Sequence, residues 1–461
     1  MEKMNEWEER REEYWKIARR SPQIAHVLGH IYPPPGDSIS LVGTYVLAPS
    51  LGGFVQWLLY EAIKSGKKRL YFLARDGYFP YRAALIFCER YHLPIECHYL
   101  SCSRYSIRLP LFHLNREEAL SYVCRGGIDT TLEKILRRAG LNEKERREVV
   151  QCLSLPFSSN KVLSRTELSK IRLRLDECET FLTFMDRHSR EAMPGLVGYL
   201  RQEGLLDNVS DAVVDSGWLG SMQKTLQDAL TYMGRTRRLE GYYWGLYDLP
   251  SDAVLSDYHT YYFEPGKHLL EKVNFNNCLF EAVYSAPHGM TLYYRREGKN
   301  FVPYYGHMGQ NHQEFAKKIE GYLLAYIRLL AETQNGFFVV DNIRKERQII
   351  RSLLERFMGE PSRDEAEVFG SLLFSDDVLE GEEQQIAAPL TENVLNAHRL
   401  FSKIFIKIGI KKERVWESAW YVGSVVRSEK QVKRRLKEYR IYQFVRQLRN
   451  LLRYYRKRWE K

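Results

Sequence analysis

The pattern of apolar and polar positions divides this chain into long helical segments around a few short apolar runs. Residues 1 to about 30, opening MEKMNEWEERREEYWKIARR, carry charge throughout and are read as one helix. It stops at YPPPGD, where consecutive prolines hold the backbone extended. LVGTYVLAPSLGGFVQWLLYEAIKSG reads as a buried helix that ends at Gly66, the usual C-cap residue. RLYFLA is expected to be a strand, YFPYRAALIFCERYH a helix and IECHYLSCS a second strand, which together make a βαβ unit with a parallel pair. From about 114 to 205 the pattern is helical and highly charged, which predicts an inserted helical cap. The sheet resumes with DAVVDSG, the helix SMQKTLQDALTYMG and the strand LEGYYWGLYD. Aromatic-rich segments follow to about 305. NHQEFAKKIEGYLLAYIRLLAE, IRKERQIIRSLLERFMG and TENVLNAHRLFSKIFIKIG are further helices, divided by the acidic loop SDDVLEGEEQQ. The expected fold is therefore α/β, with a mostly parallel sheet, an inserted helical cap and C-terminal helical additions. Its units would be 1–36, 37–305, 306–430 and 431–461.

At 461 residues the chain exceeds the roughly 250–300 at which single cores stop growing. Hydrophobic residues make up 44% and aromatics 13%, a globular composition that argues against long disorder. Seven cysteines, at 88, 97, 102, 124, 152, 178 and 278, form no C-x-x-C pair. Neither a disulfide framework nor a zinc ribbon is suggested, and reduced cytosol fits best. The charged N-terminus lacks the apolar stretch of a signal peptide, and no uncharged apolar run of about 18 residues suggests a transmembrane helix. The expected location is cytoplasmic.

The net charge of +11 is concentrated at one end: from Gln431 onward twelve Lys or Arg face two Glu, leaving +10 there. Read as a helix, this tail gathers Leu436, Tyr439, Ile441, Tyr442, Val445, Leu448, Leu451, Leu452 and Tyr455 into an apolar stripe bordered by arginines. With Trp459, that pattern suits the surface of an anionic membrane and a peripheral position at its inner face. It equally suits a terminal helix docked on its own domain with its basic side in water. Nucleic acid is not expected, since no RNP, zinc-finger or KH-type signature accompanies the charge.

Candidate chemistry sits where two strands end. In LYFLARDGYF the strand runs into Arg75, Asp76 and Gly77, and in VVDSGWLGSMQ it runs into Asp215, Ser216, Gly217, Gly220 and Ser221. Open α/β sheets bind ligands outside the carboxyl ends of their strands, so two such ends side by side would build one site. Asp76 and Asp215 are the candidate catalytic groups and the candidate Mg²⁺ ligands. Arg75, Gly77, Ser216, Gly217, Gly220 and Ser221 would hold phosphate through a guanidinium, hydroxyls and loop amides. Ser101, Ser103 and Arg104 of SCSRYS, after the second strand, would join them. The competing reading is structural: Arg75 and Asp76 pair at a helix entry, and the serines cap helices. His259, His268, His288, His307 and His312 lack metal-ligand spacing. Asn276, Asn277, Glu281 and His288 stand among apolar neighbours, where they read either as sugar contacts or as satisfied core groups.

GTYVLAPSLGGFVQWLLYEA, LYFLARDGYFPY, SCSRYS, VVDSGWLGSMQ, GYYWGLY and FEAVYSAPHGM, in that order, resemble the region after the hydrolase domain in bacterial haloacid-dehalogenase-like proteins encoded with surface-polysaccharide glycosyltransferases. The resemblance spans about residues 40 to 425. It implies a Rossmannoid sheet, Mg²⁺ as cofactor, and a phosphorylated sugar, nucleotide sugar or lipid-linked phosphate as ligand, with a glycosyltransferase as partner. The family's phosphatases use a nucleophilic Asp and an acid/base Asp two residues later. Around Asp76 those positions hold Ala74 or Tyr78, so the pair is incomplete. That departure leaves open a catalytically silent binding partner. A second resemblance, to phosphoribosyltransferase topology, rests on the acidic strand and the Gly and Ser loop of VVDSGWLGS.

Overall fold

A computed structural model describes residues 5–127, 130–333, 340–374, 384–399, 402–403 and 418–459. The charged N-terminal segment forms α1 (Glu6–Ala18), and a separate short helix Pro22–Leu28 follows it. The break comes at Ser21, whose side chain accepts from the Ile24 amide and restarts the helix with proline in its first turn. After the prolines, Ser38–Lys64 is continuously helical, with a π-helical stretch over Gly43–Leu47, and its last part is α2 (Ala48–Lys64). By length and composition this segment is apolar enough to cross a membrane, yet 94% of its most apolar window is buried inside the molecule. It is the central core helix here.

Next come β1 (Arg69–Leu73), α3 (Tyr78–Tyr91) and β2 (Glu96–Leu100), with β1 and β2 parallel, as the sequence pattern anticipates. A helical segment then intervenes and ends in α4 (Glu179–Gln202). It has its own apolar cluster, built from residues such as Leu120, Leu136, Val149 and Phe181. Its later residues Leu196, Tyr199 and Leu200 instead join the layer under the sheet. The chain returns as β3 (Asp211–Trp218), α5 (Ser221–Tyr232), β4 (Glu240–Leu246) and β5 (Tyr258–Phe263).

The five strands form one parallel sheet in the order β2-β1-β3-β4-β5. Both faces are covered, which is why the strands read as apolar runs without alternation. Leu70, Phe72, Ala212, Val214, Tyr242 and Trp244 pack on the α2 side, while Tyr71, Leu73 and Val213 pack on the α4 side. β5 was hidden within the aromatic-rich stretch, and so was a hairpin, β6 (Thr291–Glu297) and β7 (Asn300–Tyr305). Between β5 and this hairpin lies α6 (Asn277–Tyr284).

The C-terminal additions are α7 (Gln310–Thr333), α8 (Val340–Gly359), α9 (Arg363–Gly370) and α10 (Val432–Trp459). Most of the acidic loop, at 375–383, lies outside the described residues, as do 400–401 and 404–409 of the helix expected over 391–409. Of that helix Glu392–Ala397 is seen.

A buried ion pair fastens the N-terminal helix α1 to α9. Arg10 of α1 donates to both oxygens of Glu365 of α9, at 2.9 and 2.7 Å, and Tyr14 donates to the same carboxylate at 2.6 Å. Both charged side chains are at most 5% exposed. Removing one partner strands the other charge in a low-dielectric interior. Glu365→Ala is therefore expected to lower unfolding free energy by about 3–5 kcal/mol in urea titrations followed by circular dichroism. A loss under about 1 kcal/mol, the range of exposed pairs, would contradict this assignment.

Candidate functional site

The strand order reverses direction between β1 and β3: the chain leaves β1 toward β2 on one side and returns to β3 on the other. Such a switch point leaves a crevice at the carboxyl ends of the two strands. The register pairs Phe72 with Val214, so Asp215 is the next residue of β3, and the turn after β1 carries Asp76 beside it. Asp76, Asp215, Gly77 and Ser216 line one small cavity, whose remaining wall includes Phe54, Trp244, Phe280 and Tyr284. Its volume is about 10 Å³, on the order of a single water.

Asp76 and Asp215 share this cavity, and Glu281, outside its lining, acts on them electrostatically. The Ser216 hydroxyl donates to Asp76 Oδ2. The Trp218 indole N–H donates to Glu281 Oε1, bringing in a carboxylate from α6. Burial, then the charges of Asp76 and Glu281, push Asp215 up to about 8, against the Ser216 amide and Arg104. Burial and the Asp76 charge push Glu281 up to about 7, while Arg104, the Trp218 hydrogen bond and Arg75 oppose the shift. Asp76 is also raised by burial, with Ser216, Arg75 and Arg104 pulling it down. Two guanidiniums thus face three carboxyls that resist full ionisation together. Burial, then the Arg75 charge, hold His312 down to about 4, and its Nε2 is buried without a hydrogen-bond partner among the described residues.

Each glycine of the site has a packing reason. A Cβ on Gly77 would stand 2.5 Å from the Leu73 carbonyl oxygen, so the turn after β1 closes only without a side chain. Gly217 (φ +113°) lies within β3 rather than in an open loop, paired with Gly245, whose oxygen would stand 2.3 Å from a Cβ. Gly220 (φ +62°) precedes α5, and Ser221 is the first residue of that helix.

The serines of the third segment are committed elsewhere. The Ser101 amide donates to the Tyr199 hydroxyl at 2.9 Å, and its own hydroxyl pairs with Tyr305 at 2.8 Å. Ser103 caps the helix Arg104–Arg108: its hydroxyl accepts from the Ser106 amide at 2.9 Å and donates to the Thr291 carbonyl at 2.7 Å. Both are buried in structural hydrogen bonds, and neither lines the cavity. Of SCSRYS, Arg104 acts on the carboxyl groups electrostatically, and the buried Cys102 thiol feels the Asp215 charge. Asn276 caps α6, accepting from the Leu279 amide at 2.8 Å, and His288 pairs with the Tyr99 hydroxyl at 2.7 Å. Glu281 is the one member of that polar group at the cluster, and the signal for it was a lone acid in an otherwise apolar helix.

Among the described residues no three His, Cys, Asp or Glu side chains are gathered to hold one metal ion. Asp76 and Asp215 still offer hard oxygens of the kind Mg²⁺ takes, and one or two carboxylates suffice where water completes its shell. No family model matches the chain, and no curated protein matches it.

The raised Asp215 has a consequence for stability. Because its folded value of about 8 lies above the ordinary 3.8, its contribution is complete below 3.8 and is lost as pH rises through about 8. Asp215→Asn removes that loss. With chelator present, the variant is expected to melt above wild type at pH 9 by at least about 1 °C, the shift that about 1 kcal/mol gives at about 2.1 cal/mol/K per residue over 461 residues. The gap should close toward pH 5. A constant difference across that range in scanning calorimetry would contradict the assignment.

Proposed function

We propose that this chain is a haloacid-dehalogenase-like, Rossmannoid protein of bacterial surface-polysaccharide synthesis. In this reading it binds a phosphorylated sugar or nucleotide sugar at the β1/β3 crevice and hydrolyses or transfers its phosphate with Mg²⁺. The observation that carries the reading is that Asp76 and Asp215 line one cavity at the switch point of the sheet, within the electrostatic reach of Glu281, Arg75 and Arg104. Guanidiniums suit phosphate oxygens, and carboxyls with separated proton affinities suit acid and base roles. The cavity is too small for the ester itself, so the phosphate would rest at its rim against Arg75 and Arg104, with an attacking water inside.

Within that arrangement Asp215, which holds its proton at neutral pH, would give it to the leaving oxygen. Asp76, oriented by the Ser216 hydroxyl, would take the proton of the water. Asp215 thereby fills, from the neighbouring strand, the role for which Ala74 and Tyr78 are unsuited. Asp76 and Asp215 would hold Mg²⁺, Asp215 as a neutral carboxyl whose proton stays available to the leaving oxygen, and the ion would supply charge neutralisation on the phosphoryl oxygens.

A second reading, the catalytically silent binding partner of a glycosyltransferase, draws support from Tyr78. Its hydroxyl accepts from Arg82 at 3.0 Å and is turned toward Glu320, so no second carboxylate follows Asp76 on its own turn. A screen of sugar phosphates and nucleotide sugars with and without Mg²⁺, read by thermal shift and phosphate release, separates the two. The catalytic reading expects a Mg²⁺-dependent release that falls by about 10²-fold or more in Asp76→Asn and Asp215→Asn, the usual contribution of a general acid or base. Thermal shifts without release assign the silent reading. Neither shift nor release would reject both.

A further inference from the structure

α10 is divided lengthwise by the structure. On one side Leu436 and Tyr439 pack on the core, and Arg435 is buried, donating to the Leu395 carbonyl at 2.8 Å. At the far end Tyr455, three residues past Leu452 and so in line with the exposed stripe, donates to the Gly266 carbonyl at 3.0 Å. On the opposite side Ile441, Phe444, Val445, Leu448 and Leu452 are exposed, Val445 by 55% and Leu452 by 63%. Their spacing of three and four puts all five on one stripe. The side chain of Trp459 lies outside the described residues.

The unpaired charges along the helix are of one sign. Exposed Lys437, Arg446, Arg449 and Arg453 have no ion pair among the described residues. Arg434 and Arg440, at the docked end, are paired with Glu438 and Glu360. The basic edge continues into a cavity of about 210 Å³ under the helix, with Lys267, Lys272 and Arg453 in its wall alongside Asp248.

We propose that this face of α10 docks on an anionic lipid bilayer, the five apolar side chains entering the headgroup boundary and the unpaired cations resting on lipid phosphates. Docking of α10 on its own domain and exposure of a membrane face are thus compatible, each using a different side of one helix. A helix with a wide apolar stripe, a basic flank and low overall hydrophobicity lies in the interface plane rather than crossing it. Two-fold pairing with a second copy would set one arginine row near another, which like-charge repulsion disfavours.

The test is flotation of the full chain with vesicles of phosphatidylcholine alone or mixed with phosphatidylglycerol. Wild type is expected to float with the mixed vesicles only, and to release as salt rises. A Val445→Asp, Leu448→Asp, Leu452→Asp variant should stay unbound, and Arg449→Glu with Arg453→Glu should lower partitioning by about tenfold or more. All five positions are solvent-facing, so circular dichroism and melting should match wild type. Wild-type binding to neutral vesicles alone, no binding at all, or equal binding by the variants would overturn the proposal. So would concentration-dependent dimerisation that the aspartate variant abolishes, which assigns the stripe to a second copy.

Discussion

Carboxyl groups brought together out of water repel one another and lose hydration, and this chain buries two of them, Asp76 and Asp215, on one crevice and a third, Glu281, within reach of their charge. An isolated buried carboxylate would cost more than a marginally stable fold can spare. The structure offsets that cost through Ser216 on Asp76, Trp218 on Glu281, the Arg104 guanidinium acting on all three groups and Arg75 acting on Asp76 and Glu281. What is not offset shows as raised proton affinity. A cluster so held accepts a proton, a cation or a phosphate-bound counter-charge more readily than a solvated surface would.

The scaffold explains why these groups cannot drift apart. Asp215 belongs to a central strand bonded on both sides, by β1 and by β4. Asp76 sits in a turn closed by Gly77 against the Leu73 carbonyl. Glu281 is carried by α6, whose Phe280 and Tyr284 pack in the same aromatic layer as Trp244, at 4.9 Å between the Phe280 and Trp244 rings. Trp218 joins the pieces: its indole reaches Glu281, and its ring lies 6.0 Å from Tyr247 at the end of β4. Tyr247 also lines the cavity beneath α10, so the carboxyl edge of the sheet and the basic terminal helix are neighbours.

Much of the α/β core was legible because its strands are buried on both faces and therefore appear as continuous apolar runs between glycine breaks. The parallel β1/β2 pair and the convergence of Asp76 and Asp215 follow from that pattern and from the ligand-binding habit of such sheets. Local chemistry was harder to read. Ser103 looks the same in sequence whether it caps a helix or binds phosphate, and the hairpin carbonyl of Thr291 that decides the matter lies 188 residues away. β5 was missed because YHTYYF mixes aromatic and polar residues as a loop does. The restart of the N-terminal helix at Ser21 was overlooked although Ser followed by Pro is a start signal. Glu281 was visible only as an oddity in an apolar helix, since its partners come from other strands.

The most direct test of the coupled cluster is a carboxyl-carbon NMR titration of the protein labelled at aspartate, compared with Asp76→Asn. The account predicts that one resonance, assigned to Asp215 by substitution, titrates near 8 in wild type and moves to lower pH when the Asp76 charge is removed. An Asp215 resonance titrating in the ordinary carboxyl range, or one indifferent to Asp76→Asn, would contradict the claim that the two groups share one desolvated crevice.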